Sequence, residues 1–262
     1  MHNFDFVKPS SIAEAVKALS AEGAQALSGG QTLIPTMKQR LAAPATLVSL
    51  TGIAEMRGVC TGDGGLHIGA ATPHAVVAKE ARAHYPALAN LAGGIGDPSV
   101  RSRGTIGGSI ANNDPAACYP SAVLASGATV VTNRRSIAAD DYFQGLFTTA
   151  LEDGEIVTSV IFPIPQKAAY VKFNQPASRF ALTGVFVAKF ASGVRVAVTG
   201  AGNDGVFRWD EAERALSADF SASALSGLQV DPSGMIADLH GSAAYRANLV
   251  KVLTGRAVTA AG

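Results

Sequence analysis

The alternation of apolar and polar residues divides the chain into two textures. Residues 4–9, F-D-F-V-K-P, alternate as a short strand that stops at a proline. Ser10 or Ser11 can then cap a helix over Ile12–Ser20, with Ile12, Ala15, Val16 and Leu19 on one face and Gly23 as its stop. Gln25–Leu27 reads as a strand running directly into Gly29 and Gly30, and Thr32–Leu41 as a helical turn or short helix that starts at that loop. Thr46–Leu50 and Leu66–Ile68 are predicted strands, with Ile53–Val59 ambiguous between them. Pro73 is placed at the first position of a helix through His74, Val76 and Val77. A further helix over Pro86–Ala92 leads into the glycine-rich stretch Leu91–Pro115, and another begins near Pro120. Ala128–Thr132 and Glu155–Phe162 are predicted strands, with a turn at Asn133–Arg135.

The two prolines of Pro163–Ala169 exclude regular structure and mark the predicted domain boundary. Beyond it come strands over Ala169–Phe173, Ala181–Phe190 and Gly193–Thr199, the last two joined by A-S-G. A helix over Asp210–Leu216, a pair of serine-capped helical segments and a terminal helix over Ser242–Leu253 follow. The expected class is α+β, with one domain over 1–165, subdivided near 55, and a second over 166–262 built from a three-stranded antiparallel sheet and helices.

Composition narrows the function classes. The 262 residues are 48% hydrophobic and carry a net charge of +1 without a basic run, which argues against nucleic acid or anionic lipid as a partner. Cys60 and Cys118 stand far apart with no C-x-x-C spacing, so the thiols alone build neither a zinc site nor an iron–sulfur cluster. His2, His67, His74, His84 and His240 show no metal-ligand spacing and read as surface or internally satisfied residues. No Ser-His-Asp or Cys-His arrangement and no G-x-x-x-x-G-K-S loop is present, and no catalytic residue is singled out. Trp209 reads as a packing anchor. Without a signal-peptide pattern or a membrane-length apolar run, the expected location is the cytoplasm.

What remains is the glycine chemistry. Leu91–Pro115 holds few aliphatic residues for a core but six glycines, whose backbone can approach a neighbour closely. Ala26–Pro35, A-L-S-G-G-Q-T-L-I-P, has the same character. A single glycine pair reads as a tight turn between packed elements. Two pairs, each followed by a hydroxyl residue, can turn successive N–H groups toward one anion and hold a dinucleotide between them. Asp114, before Pro115, can cap a turn, accept from ligand hydroxyls, or do both.

Taken together, S-G-G-Q-T-L-I-P-T-M-K-Q-R-L-A-A-P (Ser28–Pro44) and R-S-R-G-T-I-G-G-S-I-A-N-N-D-P-A-A (Arg101–Ala117) resemble the FAD-binding medium subunit of the molybdenum hydroxylases, the xanthine dehydrogenase family. The likeness continues through F-Q-G-L-F-T-T-A-L-E-D-G-E-I-V-T-S-V-I-F-P (Phe143–Pro163) and, more loosely, to the terminal helix. The resemblance implies a two-part FAD-binding domain of the vanillyl-alcohol-oxidase/PCMH type followed by a small domain of antiparallel sheet and helices. It places the pyrophosphate at Ser28, Gly29, Gly30, Gln31, Thr32 and Leu33. Further phosphate and ribityl contacts fall to Thr105, Gly107, Gly108, Ser109, Asn113 and Asp114, and Ile156 and Lys172 stand near the flavin ring. This chain departs from the family pattern at Gln31, where histidine is common, at Ser102, where asparagine is frequent, and at Arg179, where aspartate is usual.

The implied activity is that of an oxidoreductase flavoprotein subunit. It takes electrons from the [2Fe-2S] clusters of a small subunit, whose own source is a molybdopterin-binding large subunit, and passes them to an external acceptor. The implied assembly is a heteromer, a dimer of heterotrimers, with no metal bound by this chain. Two other classes compete: a stand-alone FAD-dependent oxidase, which usually has a larger second domain, and a flavin-free scaffold subunit, which the changes at Gln31 and Arg179 would suit.

Overall fold

The computed structural model describes residues 1–262. The chain opens with β1 (Asp5–Val7), α1 (Ile12–Leu19), β2 (Ala24–Leu27), α2 (Leu33–Lys38) and β3 (Thr46–Ser49). The strands form a parallel sheet in the order β1-β3-β2. Helix α1 starts where the hydroxyl of Ser11 accepts from the Glu14 N–H at 3.2 Å, while the Glu14 carboxylate reaches back to the Ser10 N–H at 2.8 Å. That reciprocal cap anchors the apolar face against the sheet.

A second, antiparallel sheet of order β4-β5-β10-β6-β7 follows. Its first hairpin is β4 (Val59–Gly62) and β5 (Gly65–Gly69). The chain then leaves for five helices, α3 (His74–Glu80), α4 (Pro86–Gly93), α5 (Pro98–Arg103), α6 (Ile106–Asn112) and α7 (Tyr119–Ala125). It returns through β6 (Thr129–Thr132) and β7 (Ser136–Ala138), then α8 (Ala139–Tyr142) and the small hairpin β8 (Phe143–Gly145) and β9 (Thr148–Thr149). Strand β10 (Val157–Phe162) closes the sheet between β5 and β6. Its register against β6 slips between Val157 and Ser159, and this bulge re-aims the start of the strand.

The third sheet is an antiparallel meander of β11 (Lys167–Asn174), β12 (Ala181–Phe190), β13 (Gly193–Gly202) and β14 (Gly205–Arg208). It is covered on one side by α9 (Asp210–Ala218) and α10 (Ala243–Ala261). Strand β12 is buried on both faces: Val185 and Val187 join the core of α9 and α10, whereas Phe186 and Ala188 join the larger core of the first half. The alternation has period two, as a strand between two layers requires. Tyr85 sits edge-on to both Phe162 and Phe186, so the cores of the two halves meet across the proline boundary. Trp209 is buried in the smaller core.

Several expectations need correction. The last sheet has four strands, because Gly205–Arg208, too short to carry a pattern, pairs with β13. The stretch Leu91–Pro115 is mostly helical, in α4, α5 and α6, and its Leu91, Ile106 and Ile110 are fully buried. Pro73 has an extended ψ of 148° and precedes α3 instead of entering it. The two segments after α9 are 3-10 turns: Ser221 stands at the N-cap of Ala222–Leu225 without a side-chain cap bond, and Pro232–Gly234 is capped by Asp231 instead of serine. Helix α10 runs eight residues past Leu253, through T-G-R-A-V-T-A-A, where small residues hide the helical period. No helix is long and apolar enough to cross a membrane.

Candidate functional site: a cleft between two glycine segments

A cleft of about 840 Å³ runs along the first half of the chain and is closed by the β11–β12 turn. Its volume lies toward the upper end of small-molecule sites, about 300–1,000 Å³. Ser28, Gly29, Gly30, Gln31, Thr32, Leu33, Thr105, Gly107, Gly108, Ser109, Asp114, Ile156 and Lys172 all line it. Asn113 does not.

The first glycine segment leaves the carboxyl end of β2 inside a parallel βαβ unit, the position where open α/β sheets bind ligands. A Cβ at Gly29 would fall 2.2 Å from the carbonyl oxygen of Arg103 and 2.6 Å from the Cα of Gly104, so only glycine lets the two segments touch. Gly30 follows in the left-handed region at φ 70°. The hydroxyls of Ser28 and Thr105 join the segments by a 2.7 Å hydrogen bond. From Gly29 to Leu33 no backbone N–H finds an acceptor within the chain. The Gln31 amide donates to the Gly29 carbonyl at 3.2 Å, folding back on the loop, and Thr32 leaves α2 without a side-chain cap. A row of free N–H donors opening on a cleft is a nest for an anion such as a pyrophosphate.

The second segment is built differently. Asp97 caps α5 by accepting from the Val100 N–H at 3.0 Å, and Arg101 donates to the carbonyls of Ile95 and Gly96. Thr105 caps α6, its hydroxyl accepting from the Gly108 N–H at 3.2 Å. The N–H of Ile106 donates to Thr72, that of Gly107 to Ala70 and that of Ser109 to the Thr105 carbonyl. Donors expected to face a ligand from T-I-G-G are therefore consumed inside the protein, because α6 is stitched to the chain after β5. A Cβ at Gly107 would lie 2.5 Å from that of Ala70, whereas one at Gly108 would meet only the Thr105 hydroxyl at 3.1 Å and the Ser28 Cβ at 3.6 Å. Gly107 keeps α6 close to the sheet; Gly108 keeps its cleft side bare.

Asn113 ends α6 with φ 44° and is almost wholly buried. Its amide donates to the carbonyls of Gly145 and Thr148 at 2.8 and 2.9 Å, so it holds the β8–β9 hairpin and its contact is not with the cleft. Asp114 uses one carboxylate oxygen to accept from the Ala116 N–H at 2.8 Å and still lines the cleft, so turn and wall coexist.

The opposite wall contains Glu155, Ile156 and Val157 at the bulged start of β10. The Arg135 guanidinium donates to the Glu155 carboxylate, and this outweighs burial; with the Thr132 hydroxyl it holds the acid down to about 2. Lys172, on β11, donates to the carbonyls of Gly94 and Arg179 at 2.8 and 2.9 Å and lies 3.6 Å from the Cys118 thiol. Its named oxygen partners are neutral, so no carboxylate cancels its charge. Arg179 itself lines the cleft in the turn, with φ 61°.

Sequence reasoning missed His74 and Cys118. His74 is buried in the cleft wall under Gly104, its ring 5.3 Å from that of Tyr119. Burial, aided by the charge of Arg101, pushes it down to about 4, so the imidazole is neutral at neutral pH. No spacing signal marks either residue.

Residues 2–165 match the family model described as the FAD binding domain in molybdopterin dehydrogenase. The chain is 33% identical over 280 residues to the carbon monoxide dehydrogenase medium chain of Afipia carboxidovorans, covering 98% of this chain and 96% of that one. It is 34% identical over 275 residues to the glyceraldehyde dehydrogenase medium chain of Sulfolobus acidocaldarius, covering 97% and 96%. The solved structure of reconstituted CO dehydrogenase from Oligotropha carboxidovorans superposes with a TM-score of 0.90 at 31% identity over 99% of this chain and 98% of that one. With the cleft, the nest and these full-length likenesses in agreement, the chain belongs to the FAD-binding medium subunits of the molybdenum hydroxylases.

Proposed function

We propose that this chain is the electron-transfer subunit of a heteromeric molybdenum hydroxylase. It receives electrons from the [2Fe-2S] clusters of a small subunit, in an assembly with a molybdopterin-binding large subunit, and delivers them to an external acceptor. Its proposed units are residues 1–165 for the cofactor and 166–262 for the covering sheet and helices. The assembly is proposed as a dimer of heterotrimers.

The observation that carries the reading is the row of unpartnered N–H groups from Gly29 to Leu33 on a cleft of dinucleotide size. These donors hold the pyrophosphate of FAD, and Ser28 and Thr105 lock the two walls against each other. Asp114 keeps one carboxylate oxygen for ribose or ribityl hydroxyls, and Ser109 and the bare backbone at Gly108 let the ligand lie close. Ile156 provides an apolar surface near the ring, and Lys172 places a positive charge that favours added negative charge on the ligand it faces. FAD, when bound, supplies the capacity to accept electrons singly and release them in pairs. No general acid or base is required of the chain.

The test is to purify the chain, release its ligand by heat and record the visible spectrum. Released FAD, with no substrate-dependent bleaching of the bound flavin until large and small subunits are added, supports the reading. Absence of flavin from the purified complex contradicts it.

A further inference from the structure

The part of the cleft wall that carries Asp114 belongs to no helix or strand. Between α6 and α7, Asp114, Ala116, Ala117 and Cys118 all line the cleft. Two short-range bonds shape this segment: the Ala116 N–H donates to the Asp114 carboxylate at 2.8 Å, and the Ala117 N–H to the Asp114 carbonyl at 2.9 Å.

Its other edge is held from the second half of the chain. Thr199, on β13, is fully buried and lies outside the cleft lining. Its hydroxyl stands 2.7 Å from the Ala117 carbonyl and 3.0 Å from that of Pro115, and the Gly200 N–H donates to the Pro115 carbonyl at 2.7 Å. The register of β13 against β14 breaks between Val198 and Gly202, which frees this stretch from the ladder on that side. Gly200 turns there at φ 81°, where a Cβ would fall 2.3 Å from the Ala181 carbonyl. Arg246 pins the same point from α10: its Nη1 donates to the carbonyls of Gly200 and Leu182, while its Nη2 grips both carboxylate oxygens of Asp238. A bulge pinned in this way is a stiff platform, and the Asp114 segment rests on it. The carbonyls of Pro115 and Ala117 are turned toward the second half, and the Asp114 side chain is left on the cleft side.

We infer that Thr199 is a positioning residue for the ligand of the cleft: from outside it, the hydroxyl sets the backbone of residues 115–117 and with it the aim of the Asp114 carboxylate. The inference rests on the reading of the cleft as the FAD site, in which Asp114 accepts from ligand hydroxyls. It gives the second half of the chain a part in holding the cofactor, beyond covering it.

FAD titrations of the flavin-stripped, full-length chain, followed by flavin fluorescence, test the role. Thr199→Val keeps the volume and removes the donor, which leaves the Ala117 carbonyl without this partner. It should raise the Kd for FAD about tenfold, the equivalent of one hydrogen bond, and Thr199→Ser should return it to within about twofold of the parent. Thr254→Val is the control for structure alone, since that buried hydroxyl donates to the Val250 carbonyl within α10 at 2.7 Å. It should leave the Kd unchanged whatever its melting temperature. Asp114→Asn keeps an acceptor for the Ala116 N–H and loses the free carboxylate oxygen. In that background Thr199→Val should cost less than about threefold, because both changes act on one contact. Thr199→Cys, with a weak S–H donor in a similar volume, should weaken FAD less and carries the test if the valine variant does not fold. A parental Kd in the variant that carries the test, no recovery in Thr199→Ser, an equal rise in Thr254→Val, or an undiminished rise in the Asp114→Asn background overturns the role. A parent chain that binds no FAD overturns the reading of the cleft, and the role with it.

Discussion

The two glycine-rich segments look alike as sequence and differ as structure. Gly29–Leu33 presents backbone donors that nothing in the chain accepts, whereas Ile106–Ser109 spends its donors on Thr72, Ala70 and Thr105. The first is an open nest; the second is a rigid wall that supports it. Glycine serves both ends for different reasons. Gly29 and Gly107 admit backbone or side-chain neighbours that a Cβ would strike, and Gly30 provides a left-handed turn. A Cβ at Gly108 would press on the protein only at the Thr105 hydroxyl, at 3.1 Å, with no backbone in the way, so its bareness points to the cleft.

The largest expected effect is at the contact itself. Gly29→Ala places a Cβ 2.2 Å from the Arg103 carbonyl, and the segments must part. Overpacking of this kind costs about 1–3 kcal/mol or more, a fall in melting temperature of about 2–4 °C per kcal/mol, and flavin retention should be lost with it. Thermal melts and the flavin spectrum check both. Gly108→Val separates the roles: it should abolish flavin retention and leave the second half folded, and occupancy equal to the parent would refute the placement. A milder probe is Ser28→Ala, which removes the 2.7 Å tie to Thr105. It should cost about 1 kcal/mol of stability, measured by denaturant titration.

The smallest effect concerns the far wall and acid pH. Glu155 is held at about 2, below its ordinary 4.5. Its carboxylate therefore adds stability that is complete above about 4.5 and is lost as pH falls toward 2. Arg135 is half-exposed, and solvent screening keeps the contribution modest. Glu155→Gln should flatten the decline of melting temperature across that window while lowering it slightly at neutral pH.

Most of the strands and the long helices were legible because apolar period and caps coincide, as at Ser11 before α1 and Ser242 before α10. Of the candidate site, S-G-G-Q-T and Asp114 draw notice by residue type, and both line the cleft. The site was not legible where long-range contacts decide. Nothing local says that the Gly107 N–H meets Ala70, that Asn113 turns to the β8–β9 hairpin, or that His74 is buried beneath Gly104. Short β14 was hidden for the same reason: its pairing to β13, and not its own pattern, makes it a strand.

The division between open nest and closed wall is tested most directly by amide hydrogen exchange with and without FAD. Unbonded N–H groups exchange fast until a ligand accepts from them, while internally bonded ones are protected beforehand. The account predicts that FAD protects Gly29–Leu33 strongly and leaves Ile106–Ser109 nearly unchanged, already slow in the ligand-free chain. Fast exchange at Ile106–Ser109 that FAD suppresses, with no change at Gly29–Leu33, would contradict it.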